Sequence, residues 1–202
     1  MADTKKEYLE QSSGLSNYQR WVCARKVFPC CNIHPRSLSA FIFVSSPRSP
    51  QVAILDFGSQ YSHLIARRVR ELNVYCELYS CLVAAEELGK HELQAIILSG
   101  GPSSVYDEGA PHVSQGVWKL IEEKQIPVLG ICYGMQELAH VFGGTVASGL
   151  KHEYGKSIVK RVEGCQSRIF DGMPDTFQMW MSHGDKLTKI PEGFVTVGRW
   201  TF

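Results

Sequence analysis

One cysteine lies in a sequence context that suits a nucleophile. The segment Gly130-Ile131-Cys132-Tyr133-Gly134 has the pattern G-x-C-x-G, the cysteine counterpart of the serine nucleophile elbow. Flanking glycines let a strand and a helix pass closely, so that the thiol projects from the turn between them. The positive end of the following helix would favour the thiolate and lower the pKa of the cysteine. Cys132 is therefore the predicted nucleophile, and the backbone N–H of Tyr133 is a predicted oxyanion donor.

A second glycine-rich turn points to the same site. Gly100-Gly101-Pro102 follows an apolar segment, and glycines there let backbone N–H groups approach a ligand closely. Taken alone, such a turn is weak evidence of function. In combination with the cysteine elbow, it makes the N–H of Gly101 a second candidate oxyanion donor.

The elements that would position these turns alternate along the chain. Apolar strand candidates alternate with amphipathic helix candidates, the strands at 52–55, 74–79, 95–98 and 127–131 and the helices at 61–72, 113–121 and 133–142. This alternation predicts an α/β fold, a mostly parallel sheet with helices on both faces. Ligands of such sheets bind beyond the carboxyl ends of the strands, where both glycine-rich turns are predicted. Strand candidates at 157–161 and 177–181 predict a partly antiparallel extension.

The composition excludes several classes of protein. The chain has 202 residues, 44% of them hydrophobic, and a net charge of +1, which is typical of a globular protein and gives no reason to expect a nucleic-acid or membrane partner. No apolar run approaches the roughly 20 residues that span a bilayer. The seven cysteines include no C-x-x-C pair, so we expect neither a disulfide framework nor a metal site. A reducing compartment, the cytoplasm, is the expected location.

The first 50 residues differ from the rest. Residues 1–50 contain seven Lys and Arg against three Asp and Glu, four prolines and no sustained periodicity. We therefore predict an irregular, disordered extension over 1–50 and a folded domain over 51–202. The basic, serine-containing composition leaves organelle targeting open as an alternative role for this extension.

Three motifs together resemble the class I glutamine amidotransferases. They are Leu-Ser-Gly-Gly-Pro at 98–102, Gly-Ile-Cys-Tyr-Gly-Met-Gln at 130–136 and Met-Ser-His-Gly-Asp at 181–185. Within that family, Asp-Phe-Gly-Ser-Gln-Tyr at 56–61 is similar to the amidotransferase domain of GMP synthases. The resemblance covers about residues 51–198 and implies a three-layer, flavodoxin-like fold.

The resemblance also implies roles for individual residues. Cys132 would attack the side-chain amide of glutamine and form a thioester, while the N–H groups of Gly101 and Tyr133 hold the oxyanion. The amino-acid end of glutamine would be held by Gln136 and by a loop of Ser182, His183, Gly184 and Asp185. The ammonia would pass to an ATP-pyrophosphatase (synthetase) domain or subunit that aminates XMP to GMP. ATP and Mg²⁺ are expected only in that part, so no cofactor is expected in this chain.

One part of the family pattern is missing. The family takes its catalytic base from a later His-Pro-Glu segment, whereas the only His-Pro of this sequence is His34-Pro35, followed by Arg36. The family pattern also continues beyond Phe202, so we expect a fold that is incomplete at its C-terminus and a chain that is inactive or very weak alone. The alternatives are another class I amidotransferase, a non-catalytic glutamine-binding or docking module of the same fold and, less well matched by the motifs, a DJ-1/PfpI-type cysteine hydrolase.

Overall fold

The computed structural model describes residues 19–24, 49–164 and 167–201. Their strands form two four-stranded sheets. One sheet is parallel, with strands in the spatial order Cys76–Ser80, Val52–Asp56, Ala95–Leu98 and Val128–Gly130. The other is antiparallel, with the order Gln19–Ala24, Phe194–Thr201, Thr145–Arg161 and Thr176–Lys189. None of the helices in these ranges is long and apolar enough to cross a membrane.

The parallel sheet and its helices follow the predicted alternation. After β1 (Gln19–Ala24), the elements in chain order are β2 (Val52–Asp56), α1 (Ser62–Glu71), β3 (Cys76–Ser80), α2 (Ala85–Gly89), β4 (Ala95–Leu98), α3 (Gln115–Lys124), β5 (Val128–Gly130) and α4 (Tyr133–Val141). The prediction omitted only α2, because a helix of five residues is too short to show an amphipathic period.

The central strand β2 is buried on both faces, which explains its continuous apolar sequence. On one face, Val52 and Ile54 pack in a cluster with Ala66 of α1. On the other, Ala53 and Leu55 belong to a larger cluster to which β4, α3 and α4 contribute Ile96, Leu98, Val117, Ile121, Leu138 and Ala139. Helices thus cover the sheet on both sides, and the predicted mostly parallel α/β sheet is confirmed.

The packing of α1 differs in detail from the prediction. The sequence pattern favours a buried face that includes Leu64 and Leu72, but both side chains are exposed. Ser62 and Ala66 are instead the fully buried residues of the helix. Two small residues one turn apart let the helix approach the sheet closely, and counting apolar residues alone does not detect such a face.

The antiparallel sheet contains β6 (Thr145–Arg161), β7 (Thr176–Lys189) and β8 (Phe194–Thr201), with a short 3₁₀ helix (Arg168–Phe170) between β6 and β7. The strands β6 and β7 pair from Thr145 opposite Lys189 to Lys160 opposite Thr176, with changes of register between Thr145 and Val146 and between Ser148 and Glu153. The predicted antiparallel extension is therefore present, with strands much longer than the sequence pattern suggested.

One segment of the predicted N-terminal extension forms a strand. β1 pairs with β8, from Gln19 opposite Trp200 to Ala24 opposite Phe194. This differs from the expectation of an irregular segment over 1–50. The outer edge of β8 offers unpaired backbone groups, and a stretch without proline can pair with them. Residues 1–18 and 25–48, with the rest of that expectation, lie outside the described residues, and the boundary at residue 50 stays a prediction.

Candidate active site

Cys132 occupies the turn between β5 and α4, as the elbow pattern predicts. It precedes the first residue of α4 and has φ 50° and ψ −109°. A positive φ is uncommon for a residue with a side chain and costs of the order of 1–3 kcal/mol, so the surrounding structure must impose it. The residue is exposed. The strand–turn–helix arrangement is therefore present, while the role of Cys132 as nucleophile stays a prediction.

The glycines on either side of Cys132 make this turn possible. A Cβ atom at Gly130 would lie 2.6 Å from the backbone nitrogen of Met135, and one at Gly134 would lie 2.5 Å from Leu98 Cβ. Real Cβ atoms do not approach other atoms so closely. The N–H of Gly134 donates a hydrogen bond to the carbonyl oxygen of Ser99 at 3.0 Å, which ties the start of α4 to the end of β4.

The turn after β4 lies directly against the elbow. A Cβ atom at Gly100 would lie 3.6 Å from Cys132 Cβ, and one at Gly101 would lie 3.4 Å from Tyr133 Cγ. At Gly101 the same atom would come within 2.7 Å of the carbonyl oxygen of Phe57, so no side chain fits there. The structure thus brings the two glycine-rich turns together at one edge of the sheet.

The two predicted oxyanion donors are available for a ligand. Within the described residues, the backbone N–H groups of Gly101 and Tyr133 donate to no protein atom. The N–H of Tyr133 belongs to the first turn of α4, where helix geometry leaves amides without a partner. Free N–H groups near a thiol are what the stabilisation of a tetrahedral oxyanion requires, and the donor roles of Gly101 and Tyr133 stay a prediction.

A third turn, after β2, supports the other two, and the sequence analysis assigned it no role. The Asp56 carboxylate accepts hydrogen bonds from the N–H groups of Gly58 (3.0 Å) and Ser59 (3.1 Å) and from the hydroxyl of Ser62 (2.6 Å). Partial burial raises the pKa of Asp56, but these hydrogen bonds outweigh it and hold the pKa below its ordinary value. An aspartate followed by Phe-Gly-Ser is a recognisable turn signal.

Ser99 connects the turn after β2 to the turn after β4. Its hydroxyl accepts a hydrogen bond from the N–H of Phe57 at 3.1 Å and donates one to the carbonyl oxygen of Gly100 at 2.9 Å. The residue is completely buried. Because its backbone carbonyl also accepts the N–H of Gly134, Ser99 links the turns after β2, β4 and β5.

The surroundings of Cys132 do not favour the thiolate. Desolvation by the packed protein raises the pKa of the Cys132 thiol above its ordinary value, although the residue is exposed at the rim. Among the described residues, no side chain donates a hydrogen bond or brings a positive charge to the sulfur. The expectation of a lowered pKa is therefore wrong for this structure, because the helix terminus contributes only about 0.3–1 kcal/mol.

Gln136 has an unsatisfied polar atom close to the elbow. Its side chain is 6% exposed, and its Oε1 has no hydrogen-bond partner within the described residues. The backbone N–H of Gln136 donates a hydrogen bond to the carbonyl oxygen of Cys132, one helical turn earlier, at 3.1 Å. A buried amide oxygen without a donor is costly, and a ligand with an N–H group would satisfy it. The predicted substrate-binding role of Gln136 stays a prediction with this support.

The predicted substrate loop at 182–185 has a different conformation from the one expected. Ser182, His183, Gly184 and Asp185 lie within β7, where Ser182 pairs with Tyr154 and Asp185 pairs with Ser148. The segment is extended because β6 supplies its backbone partners. Within the described residues, no hydrogen bond or ring contact joins it to Cys132; the side chain of His183 lies outside them. The structure therefore assembles Gly101, Cys132, Tyr133 and Gln136, but not this segment.

Comparison with protein families gives one match that covers most of the chain. The family model for glutamine amidotransferase class-I matches residues 53–200. Among curated proteins, the chain is 49% identical over 152 residues to a GMP synthase (glutamine-hydrolyzing) of Schizosaccharomyces pombe, covering 73% of this chain and 27% of that protein. It is 51% identical over 149 residues to that of Aspergillus oryzae, covering 72% and 27%. The chain thus spans about a quarter of the length of these relatives.

Solved structures give the same result. A protein of Thermoplasma acidophilum, a candidate subunit of GMP synthase, superposes with a TM-score of 0.64 and 29% identity, covering 74% of this chain and 72% of that one. A glutamine amidotransferase of Thermotoga maritima superposes with a TM-score of 0.51 and 26% identity, covering 71% and 64%. With the elbow at Cys132, the free amides beside it and a family match over residues 53–200, the chain belongs to the class I glutamine amidotransferases.

Proposed function

We propose that this chain is the glutaminase portion of a GMP synthase, which hydrolyses glutamine and supplies ammonia for the amination of XMP to GMP. One observation carries the proposal. Cys132 projects from a strained turn whose neighbours, Gly101 and Tyr133, present two free N–H groups beside it. The identity of about 50% to GMP synthases favours this member of the family over other class I amidotransferases.

The proposed hydrolysis of glutamine consists of two acyl transfers, first to the thiol of Cys132 and then to water. The sulfur of Cys132 attacks the side-chain carbonyl carbon of glutamine, and the N–H groups of Gly101 and Tyr133 hold the oxyanion. The C–N bond then breaks, the amide nitrogen takes the thiol proton and leaves as ammonia, and a thioester remains. Water attacks this thioester, the C–S bond breaks, and glutamate and the free thiol are released.

Substrate recognition falls to groups around the elbow. The unpartnered Oε1 of Gln136 would accept a hydrogen bond from the amino-acid end of glutamine. Ser182, His183, Gly184 and Asp185 would complete this contact after a rearrangement of β7, because the segment is paired with β6 in the structure. The steps as written need no metal or cofactor.

The ammonia would be consumed by a synthetase partner. The curated relatives are GMP synthases about four times longer than the matched region, and this chain corresponds to 27% of their length. We assign ATP binding, Mg²⁺ binding and XMP amination to that synthetase partner, whether it is a domain of the same protein or a separate polypeptide. Glutamine is the substrate of the part described here.

A binding-only module of the same fold is the second candidate. Two observations favour it for the chain by itself: the pKa of Cys132 is raised, and no described residue stands beside the sulfur as a base. Such a module would bind glutamine through Gln136 and the oxyanion donors without releasing ammonia at a useful rate.

Labelling with a chloroketone analogue of glutamine tests the proposal. The reagent should modify Cys132 of the purified chain alone, at a rate that saturates with reagent concentration and is slowed by L-glutamine but not by L-asparagine. Peptide mass spectrometry locates the adduct, and Cys132→Ser is the control. Labelling that does not saturate, or that ignores glutamine, would contradict a glutamine site. Saturable labelling without ammonia release, both in this chain and in a chimera extended with the downstream residues of the S. pombe relative, would support the binding-only module.

A further inference from the structure

One face of α4 holds the loop that leads from β4 to α3. Tyr133, Glu137 and His140 lie at positions i, i+4 and i+7 of this helix and therefore share a face. All three contact residues of the loop at 102–114. This loop begins immediately after Gly101, one of the two oxyanion donors.

Glu137 makes the central contact. Its carboxylate is completely buried, Oε1 accepts the N–H of Val113 at 3.0 Å, and Oε2 lies 2.8 Å from Nδ1 of His112. With its proton on Nδ1, His112 is the donor to Glu137 Oε2 in this second bond. A buried carboxylate needs such donors, because losing one leaves an oxygen without a partner in the protein interior.

Two further contacts hold the same short segment. The hydroxyl of Tyr133 donates a hydrogen bond to the carbonyl oxygen of Pro111 at 2.8 Å. The ring of His140 stacks on that of His112 with the centroids 5.2 Å apart, and Tyr106 approaches His140 edge-on at 5.4 Å. Three consecutive loop residues, 111–113, are thus bound to one helix face.

Tyr133 couples this attachment to the oxyanion donors. Its backbone N–H is one donor, its hydroxyl binds Pro111, and its Cγ lies 3.4 Å from the position of a Cβ atom at Gly101. If the loop were released from Glu137, the hydrogen bond between Pro111 and the Tyr133 hydroxyl would be weakened, and the tyrosine ring that contacts the Gly101 position could shift. Both ends of the loop are in this way fixed relative to the elbow.

We infer that His112 and Glu137 are positioning residues for the oxyanion donors. They fix the loop at 102–114 against α4 and so set the separation between the N–H groups of Gly101 and Tyr133. They act through Tyr133 and the loop backbone. The inference rests on the proposed glutaminase chemistry, because it assigns these residues to the stabilisation of the same oxyanion.

The test compares two reagents on three variants of the full chain. His112→Ala removes the donor to Glu137, His112→Asn keeps an N–H near the place of Nδ1, and His63→Ala removes an exposed histidine from α1 as the matched control. The chloroketone analogue of glutamine reports on thiol, substrate contact and oxyanion donors together. Iodoacetamide reports on the thiol alone.

The expected result is a change in the ratio of the two rates. His112→Ala should lower the saturable chloroketone rate about 10-fold and leave the iodoacetamide rate within about twofold, since small displacements of catalytic donors are costly. His112→Asn should recover most of the loss, and His63→Ala should match the unaltered chain. Hydrogen exchange should rise in the peptide containing residues 102–114 of His112→Ala and nowhere in α1.

The outcomes separate the inference from the proposed function. If the unaltered chain labels saturably and His112→Ala shows the same ratio of rates, or unchanged exchange in the loop, the inference is overturned while the proposed function stands. If both rates fall together in His112→Ala, the role is only structural and the inference is also overturned. If the unaltered chain shows no saturable labelling, the proposed function fails, and the inference fails with it.

Discussion

The N–H of Gly134 donates a hydrogen bond to the carbonyl oxygen of Ser99 at 3.0 Å, and this bond joins the helix after Cys132 to the turn that carries Gly101. Ser99 in turn accepts the N–H of Phe57 through its hydroxyl. The three turns at the carboxyl ends of β2, β4 and β5 therefore form one hydrogen-bonded unit around Cys132.

Gly134→Ala should destabilise the protein and deform the elbow. The new Cβ would overlap the backbone carbonyl and Cβ of Leu98, and overpacking of this kind costs about 1–3 kcal/mol. Urea unfolding measures the free energy, and Gly89→Ala is the control, because a Cβ there meets nothing within 4 Å and should cost no stability. Equal stabilities of the two variants would show that β4 and α4 are not in the close contact described.

Gln136→Met should separate stability from binding. The change keeps the volume but removes a buried oxygen that has no partner among the described residues, so the free energy of unfolding should rise by about 1 kcal/mol. Protection of Cys132 by L-glutamine against the chloroketone should be lost. Gln115→Met, at an exposed position of α3, is the control. Retained protection in Gln136→Met would remove Gln136 from the substrate site.

The reactivity of Cys132 should increase with pH over an unusually high range. Desolvation raises the pKa of the thiol, so the midpoint of its iodoacetamide rate should lie above that of a free cysteine, about 8.5. By linkage, the stability contributed by the neutral thiol is complete below the unfolded-state pKa and is lost as the pH rises through the folded-state pKa. A midpoint below that of free cysteine, measured against Cys132→Ser as blank, would contradict the raised pKa.

Asp56 should contribute stability that disappears in acid. Hydrogen bonds from Ser62 and two backbone amides hold the pKa of Asp56 below its ordinary value, despite partial burial. The contribution of Asp56 to the free energy of unfolding is therefore complete above the unfolded-state pKa, about 3.9. It is lost as the pH falls through the lower folded-state pKa. Thermal unfolding of Asp56→Asn should show a smaller loss of Tm between about pH 5 and pH 3 than the unaltered chain. Identical pH dependences would contradict this role.

The chain of 202 residues should release ammonia from glutamine at a negligible rate. No described residue is placed to move the thiol proton to the leaving nitrogen, and such a group is typically worth about 10²–10⁴-fold. A chimera that continues after Phe202 with the downstream residues of the S. pombe relative should be active. Comparable turnover by both proteins, abolished by Cys132→Ala, would mean that a base lies within this chain, and His183 would be the first residue to examine.

The sequence predicted the parallel sheet and the elbow well, because both depend on local patterns. β4 has the predicted bounds, and the cysteine turn stands between a strand and a helix as the G-x-C-x-G spacing requires. The support from Asp56 and Ser99 was not predicted, since hydrogen bonds between turns far apart in sequence leave no periodic signal.

The conformation of residues 182–185 and the pKa of Cys132 could not be read from the sequence for the same physical reason. Whether Ser182 lies in a loop or a strand depends on the partner that β6 offers, which is a long-range contact. Whether a cysteine at a helix terminus is acidic depends on the balance between the helix dipole and desolvation. Neither the conformation of residues 182–185 nor the pKa of Cys132 is determined by the local sequence alone.

Among the described residues, the hydrogen bonds that link the three turns around Cys132 come from residues between Asp56 and Gly134, whereas Ser182–Asp185 belong to the ladder between β6 and β7. The two parts are therefore held largely by different hydrogen bonds, although the N–H of Val146 in β6 donates to the hydroxyl of Tyr106 at 3.4 Å. A sub-global opening that broke only the β6–β7 ladder would leave Cys132 and the amides of Gly101 and Tyr133 assembled and would free the predicted glutamine-binding segment from its strand partner. In this protein, local unfolding and substrate recognition would then share one equilibrium, with Cys132, the predicted nucleophile, on the side that stays folded.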